Sequence, residues 1–204
     1  MSRLFYGSIF ALALIASPAI ADEATAEEKV GTCPSTCTES CCSDGLKEGD
    51  SIGAFYVTKI AGAEEDGVDQ GQELCYRCRY GSRPMVMVFA RDTGGKVPEL
   101  LRKIDSAVAT HEDSKLKGLV TLLGEDAGSL KAHAEKLAEA SSAKNVPLVV
   151  AKDSKTGPLN YKIREDAVIT IVVANDSKIV STKTFAAEDI DVAGIMSDVE
   201  GMLN

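Results

Sequence analysis

The chain has 204 residues, 45% hydrophobic and 26% charged, which is enough apolar content for one substantial core and excludes disorder for the bulk of it. Lys and Arg number 22 against 31 Asp and Glu, a formal charge of -9, and aromatics make up only 5% with no Trp. That balance argues against a nucleic-acid footprint, so no nucleic-acid partner is expected.

In chain order, Met1-Ser2-Arg3 precedes an apolar run over residues 4–16 and then Ser17-Pro18-Ala19-Ile20-Ala21. A short basic start, an apolar stretch and an Ala-x-Ala end are the pattern of a signal peptide, here 1–21, cleaved after Ala21. The alternative is a membrane anchor, but the run falls short of the roughly 20 apolar residues a spanning helix needs, and Pro18 interrupts it. The expected mature chain is exported, periplasmic or extracellular, without membrane attachment. Export sets the cysteine chemistry, because pairs that meet in an oxidising compartment become disulfides.

Residues 22–45 form an acidic stretch followed by a small-residue segment with Cys33, Cys37, Cys41 and Cys42, and no apolar period from which to build a core. If Pro34 opens a short helix, Cys33, Cys37 and Cys41 share a face that would suit a thiophilic metal, though the spacing matches no common zinc knuckle. Export and the lack of His in the cluster favour disulfides, so these four are disulfide candidates and neither a bound metal nor a cofactor is expected. Adjacent Cys41 and Cys42 bond each other only under strain, so they are expected to have different partners.

From residue 46 onward the pattern is that of one packed domain. Phe55, Val57 and Lys59 alternate with Tyr56, Thr58 and Ile60, predicting a strand over 54–60. An acidic loop follows, in which Glu64, Glu65, Asp66 and Asp69 read as a solvated surface; they lack the ligand spacing of an EF-hand. Met85-Val86-Met87-Val88-Phe89-Ala90 is a continuous apolar run, which marks a central strand covered on both faces. Val97, Leu100, Leu101, Ile104 and Val108 recur at helical spacing, with Pro98 in the first turn where a missing N–H costs nothing. Further strands are expected over 119–123, 146–151, 168–174 and 179–185, the last two as a hairpin around Asn175-Asp176-Ser177-Lys178. A helix introduced by Asp126 and Ser129 carries Leu130, Ala134 and Leu137, and a final helix carries Val192, Ile195, Met196, Val199 and Leu203. The order implies an α/β fold of three layers around a central mixed sheet.

Three stretches carry a family resemblance: residues 49–57, residues 146–153, and Tyr161-Lys162-Ile163 with the following hairpin. On these the chain resembles the thioredoxin-like superfamily, in its peroxiredoxin and alkyl-hydroperoxide-reductase branch. The resemblance implies that fold over 46–204, and it implies an attacking cysteine just after the central strand. Here Arg91-Asp92-Thr93-Gly94-Gly95-Lys96 follows that strand and no cysteine occurs after Cys78, so neither a peroxidase Cys nor a thioredoxin-type Cys-x-x-Cys is present there. The Pro that the family places before the hairpin is also absent from Glu165-Asp166-Ala167-Val168.

What remains is Cys75-Tyr76-Arg77-Cys78, ahead of the central strand and surrounded by Arg77, Arg79 and Arg83. Guanidinium groups favour the thiolate, as a thiol-exchange site requires, so Cys75 and Cys78 are the catalytic candidates and Arg77 and Arg79 the thiol-tuning ones. The pair is expected on a strand edge or hairpin, without a helix N-terminus. The competing reading is a structural disulfide. His111, at a helix end, and His133, beside an apolar face, read as structural. Asn175-Asp176-Ser177 also matches the N-glycosylation pattern. Two functions follow: an exported thiol-disulfide exchange protein acting on other exported thiol or disulfide proteins, or a redox-inactive scaffold of the same fold.

Overall fold

A computed structural model describes residues 45–204; the expected signal peptide, the acidic stretch and Cys33, Cys37, Cys41 and Cys42 lie outside the described residues. The chain forms β1 (Val57–Ala61), β2 (Glu73–Leu74), α1 (Tyr76–Tyr80), β3 (Met85–Ala90), α2 (Val97–Thr110), β4 (Lys117–Leu122), α3 (Ala127–Ser141), β5 (Leu148–Ala151), a 3-10 turn (Leu159–Tyr161), β6 (Ile169–Asn175), β7 (Lys178–Phe185) and α4 (Val192–Leu203). The seven strands make one sheet in the order β2-β1-β5-β4-β3-β6-β7.

The apolar run 85–90 takes the interior position that its composition requires. All six residues of β3 are buried, with β4 parallel on one side (Met85 opposite Lys117) and β6 antiparallel on the other (Met85 opposite Ala174). Side chains alternate across the sheet. Val86, Val88 and Ala90 join the cluster beneath α2, α3 and α4, while Met85, Met87 and Phe89 join the cluster on the opposite face.

On the first face the helices are amphipathic for the reasons legible in their spacing. Leu100, Leu101 and Ile104 of α2 are each 1% exposed, so truncating one of the leucines to Ala costs about 2–5 kcal/mol. Asp126 caps α3 by accepting from the N–H groups of Gly128 and Ser129, and Asp191 caps α4 by accepting from Gly194. β4 can lie close under α2 because Gly118 has no side chain; a Cβ there would meet Val146 Cγ2 at 2.6 Å and Ile104 Cγ2 at 3.1 Å.

The opposite layer is thin. It consists of α1, the 3-10 turn and irregular chain, and its bulk comes from aromatic rings instead of long helices: Phe55, Phe89 and Tyr161 pack mutually at centroid separations of 5.1–5.8 Å, and Tyr76 and Tyr80 are 5.5 Å apart.

The expected α/β architecture with a mixed sheet holds, and its strands shift only at their ends. Residues 54–56 precede β1 without being counted in it, and β5 starts after Pro147, which has no N–H for a ladder. The β6–β7 hairpin turns on Asp176 and Ser177, both at positive φ, which is the two-residue loop that matches strand twist. Three elements go beyond the sequence expectations: β2 and α1, which lie at the cysteine pair, and the 3-10 turn.

Candidate functional site

The pair Cys75 and Cys78 sits where edge strand β2 runs into α1. The edge position agrees with expectation, but the chain turns into a helix instead of continuing as a hairpin. Three local forces explain the helix. Cys75 is extended (φ -108, ψ 98) and acts as the N-cap, its sulfur accepting from the Cys78 backbone N–H at 3.1 Å. Tyr76 and Tyr80, one helical turn apart, are both buried and in contact, while Cys78 and Arg79 face solvent. Gly81 ends the helix at φ +66, its N–H returning to Arg77 O.

The two sulfurs form a disulfide, with Cα atoms 5.2 Å apart. Its halves differ: Cys75 is half-buried and its sulfur receives the backbone donor, whereas Cys78 is exposed. An N–H aimed at a sulfur stabilises the thiolate form of that sulfur.

The two arginines that flank Cys78 are tied down. Arg77 donates through Nε to Ile52 O at 3.3 Å and through Nη1 to Gly81 O at 3.4 Å. Arg79 donates to Asp66 O at 2.6 Å. Both guanidiniums are thus placed by backbone carbonyls around α1; Arg83, beyond the helix, is exposed.

Tyr76 leads to a buried network that sequence reading missed. Its hydroxyl donates to Asp66 Oδ2, while Asp66 Oδ1 accepts from Lys59 Nζ at 2.7 Å and from the Val68 N–H at 2.9 Å. Lys59 is only 2% exposed and also donates to Ala63 O and Val68 O, each at 2.8 Å. Burial works against the Asp66 charge, but the bonds from Lys59, Tyr76 and Val68 outweigh it and hold the carboxyl below its ordinary value. Burial, then the Asp66 carboxylate, pushes the Tyr76 phenol far up, so it stays a neutral donor. The loop over 64–69 is therefore partly an internal anchor: Asp66 reaches inward while Glu64, Glu65 and Asp69 face solvent or its edge. One signal was present in the sequence, since Lys59 shares the parity of Phe55 and Val57.

The junction after β3, where the family resemblance led one to look for cysteines, is closed by its own hydrogen bonds. Asp92 Oδ1 accepts from Gly94 N at 3.0 Å, and Lys96 N donates to Ala187 O at 3.0 Å. Gly95 is required there, for it has φ +54 and a Cβ would stand 2.6 Å from Ala187 O. Arg91 donates from Nη1 to Lys155 O at 2.7 Å, yet its Nε and Nη2 are buried without a partner among the described residues.

Of the other candidates, His111 is the C-cap of α2 and His133 lies exposed on α3. Asn175 closes β6 at the hairpin turn. Among the described residues no group of three or more His, Cys, Asp or Glu could hold a metal, and no helix is long and apolar enough to cross a membrane.

No family model matches the sequence, and no curated protein matches it. Solved structures do. A candidate thiol:disulfide interchange protein, DsbE, from Chlorobium tepidum aligns over 78% of this chain and 99% of its own, at 12% identity and a TM-score of 0.59. AhpC of Mycobacterium tuberculosis aligns over 78% and 99% at 11% identity and TM-score 0.58. The thioredoxin domain of a thiol-disulfide oxidoreductase from Bacteroides vulgatus gives 78%, 99%, 12% and 0.56. At such identities the likeness speaks for backbone architecture. The chain has the thioredoxin-like fold, with its Cys-x-x-Cys carried by α1 on the sheet face opposite α2.

Proposed function

We propose that the protein is a thiol-disulfide exchange protein working through Cys75 and Cys78, in an oxidising compartment reached by export. The observation that carries this reading is the asymmetry of the disulfide. Cys78 is the exposed residue of the pair and the one a partner meets, and the Cys75 sulfur is the better leaving group because it accepts the Cys78 N–H.

An incoming partner thiolate attacks Cys78 Sγ, forming a partner–Cys78 disulfide and releasing Cys75 as thiolate. A second partner thiol, losing its proton to solvent, attacks the partner's own sulfur and releases Cys78 as thiolate. The partner leaves with a new disulfide and this chain becomes the dithiol, a two-electron transfer that runs backwards when the partner is the stronger oxidant. Arg77 and Arg79 add positive charge around α1 and favour both thiolates. The expected partners are exported thiol or disulfide proteins.

A second reading, a redox-inactive scaffold, draws on the filled junction after β3, where Asp92 and Lys96 occupy the place of the family's cysteines. One experiment separates the two. The reduction potential of the pair and its iodoacetamide alkylation rate against pH are measured on protein with Cys33, Cys37, Cys41 and Cys42 replaced by Ser. Exchange predicts a Cys75 pKa below that of a free thiol and a potential above about -300 mV; a potential below that with an ordinary thiol pKa marks a structural disulfide.

A further inference from the structure

Among the described residues three large apolar side chains are exposed: Tyr56, Leu159 and Val180. Tyr56 at 59% and Leu159 at 82% flank one hollow of about 320 Å³, with Phe55 and Pro158 in its wall and Lys152 and Asp153 on its rim. The hollow is built by specific contacts. Asn160 Nδ2 donates to Ala54 O at 3.4 Å and Tyr161 Oη to Gly53 O at 2.9 Å, so the 3-10 turn is clamped to the segment before β1. Gly53 permits the approach, since a Cβ there would lie 1.7 Å from Asn160 Nδ2.

The hollow and the disulfide lie at the same end of the β1–β2 pair. Val57 pairs with Leu74 in antiparallel register, and Tyr56, which lines the hollow, and Cys75 are the next residues beyond that pair. Arg77, within the Cys-x-x-Cys, donates to Ile52 O, and its charge reaches the phenol of Tyr161, next to Asn160. A fixed cation of the Cys-x-x-Cys is therefore tied to the segment that leads into the hollow at Ala54, on a chain whose net charge is -9.

We infer that the hollow between Tyr56 and Leu159 docks an apolar side chain of a cysteine-bearing polypeptide, with an acidic residue between that cysteine and the anchor facing Arg77. The inference rests on the exchange reading above and adds the partner's sequence chemistry to it. A hollow of this size accepts one aliphatic or aromatic side chain, and the carboxylate complements the guanidinium on the path to Cys78.

The test uses full-length protein with Cys33, Cys37, Cys41, Cys42 and Cys75 replaced by Ser, leaving Cys78 as its one thiol. Its thiolate attacks a peptide disulfide dimer, forming a Cys78–peptide bond and releasing one peptide thiolate; intact mass follows the rate. Peptides of the order Cys-Glu-Leu and Cys-Ser-Ser are compared, each rate divided by that of dipyridyl disulfide, which needs no docking. The expected ratio is about tenfold higher for the first peptide, falling about tenfold in Leu159→Ser and unchanged in Val180→Ser. Equal ratios for the two peptides, or an equal fall in both variants, overturns the inference. So does a concentration-dependent dimer that Leu159→Ser dissociates, which would assign the hollow to a second copy. The structural-disulfide outcome of the preceding experiment, a low potential together with an ordinary thiol pKa, would remove the exchange reading and this inference together, whereas indistinguishable peptides on a protein whose Cys75 pKa is lowered remove this inference alone.

Discussion

The Lys59–Asp66 pair yields a prediction in which two substitutions do less harm than one. Lys59 is 2% exposed and its ammonium has three acceptors, of which Asp66 carries the only charge. Asp66→Ala leaves that ammonium buried beside two carbonyls, at a cost of about 3–5 kcal/mol. Adding Lys59→Met replaces the stranded cation with an apolar chain of similar length. The residual loss is then the unmade bonds at Ala63 O, Val68 O, the Val68 N–H and Tyr76 Oη, each worth about 0.5–1.5 kcal/mol. The double variant is therefore expected to be more stable than Asp66→Ala alone. Urea unfolding followed by circular dichroism, with constant m-values, measures this. Additive losses, with the double variant the weakest of the set, would refute the reasoning. The pH dependence gives an independent check. Because the folded Asp66 carboxyl titrates below its unfolded value, its contribution is complete above about pH 4 and disappears as pH falls through the lower folded value. The stability gap between wild type and Asp66→Ala should accordingly shrink on acidification in that window and stay flat above it.

Three further outcomes are expected. Gly118→Ala should destabilise by about 1–3 kcal/mol in urea, because its Cβ runs into Val146 and Ile104; Gly201→Ala, in an open stretch of α4, should stabilise by up to about 1 kcal/mol. Replacing Cys75 and Cys78 together by Ser should leave a cooperative thermal transition, since so short a disulfide loop contributes only about 2 kcal/mol of chain entropy, and loss of that transition would mark the bond as structural. Arg91→Met should match or exceed wild type in urea, as it deletes two buried donors that lack partners while giving up one bond to Lys155 O.

How much was legible in the sequence depended on the length of the signal. The run 85–90 and the stripes of α2 and α4 are long enough for periodicity to specify both element and face, and the structure has them as that pattern implies. α1 has five residues, below any window in which a helical period shows, and only the Tyr76–Tyr80 spacing hinted at it. Lys59 and Asp66 were legible as parity and as loop acidity, but not as a pair: their contact depends on the chain doubling back between β1 and β2, a tertiary fact that no local pattern encodes. The differing exposure of Cys75 and Cys78 is of the same kind, because the N-cap geometry exists only once the tyrosines have packed.

The pairing of β3 also has a consequence in time. Its first neighbour, β4, follows after a single helix, but the second, β6, is synthesised far later, so Met85 waits for Ala174. Until then an emerging chain carries a six-residue, proline-free apolar strand with one edge open, a segment prone to self-association. Arg83 and Arg91 bracket that strand, and charged flanks are what slow such association. The imperfectly satisfied Arg91 of the folded state thus has a use before folding is complete: removing its charge should leave the finished protein intact and lower the yield with which it is reached.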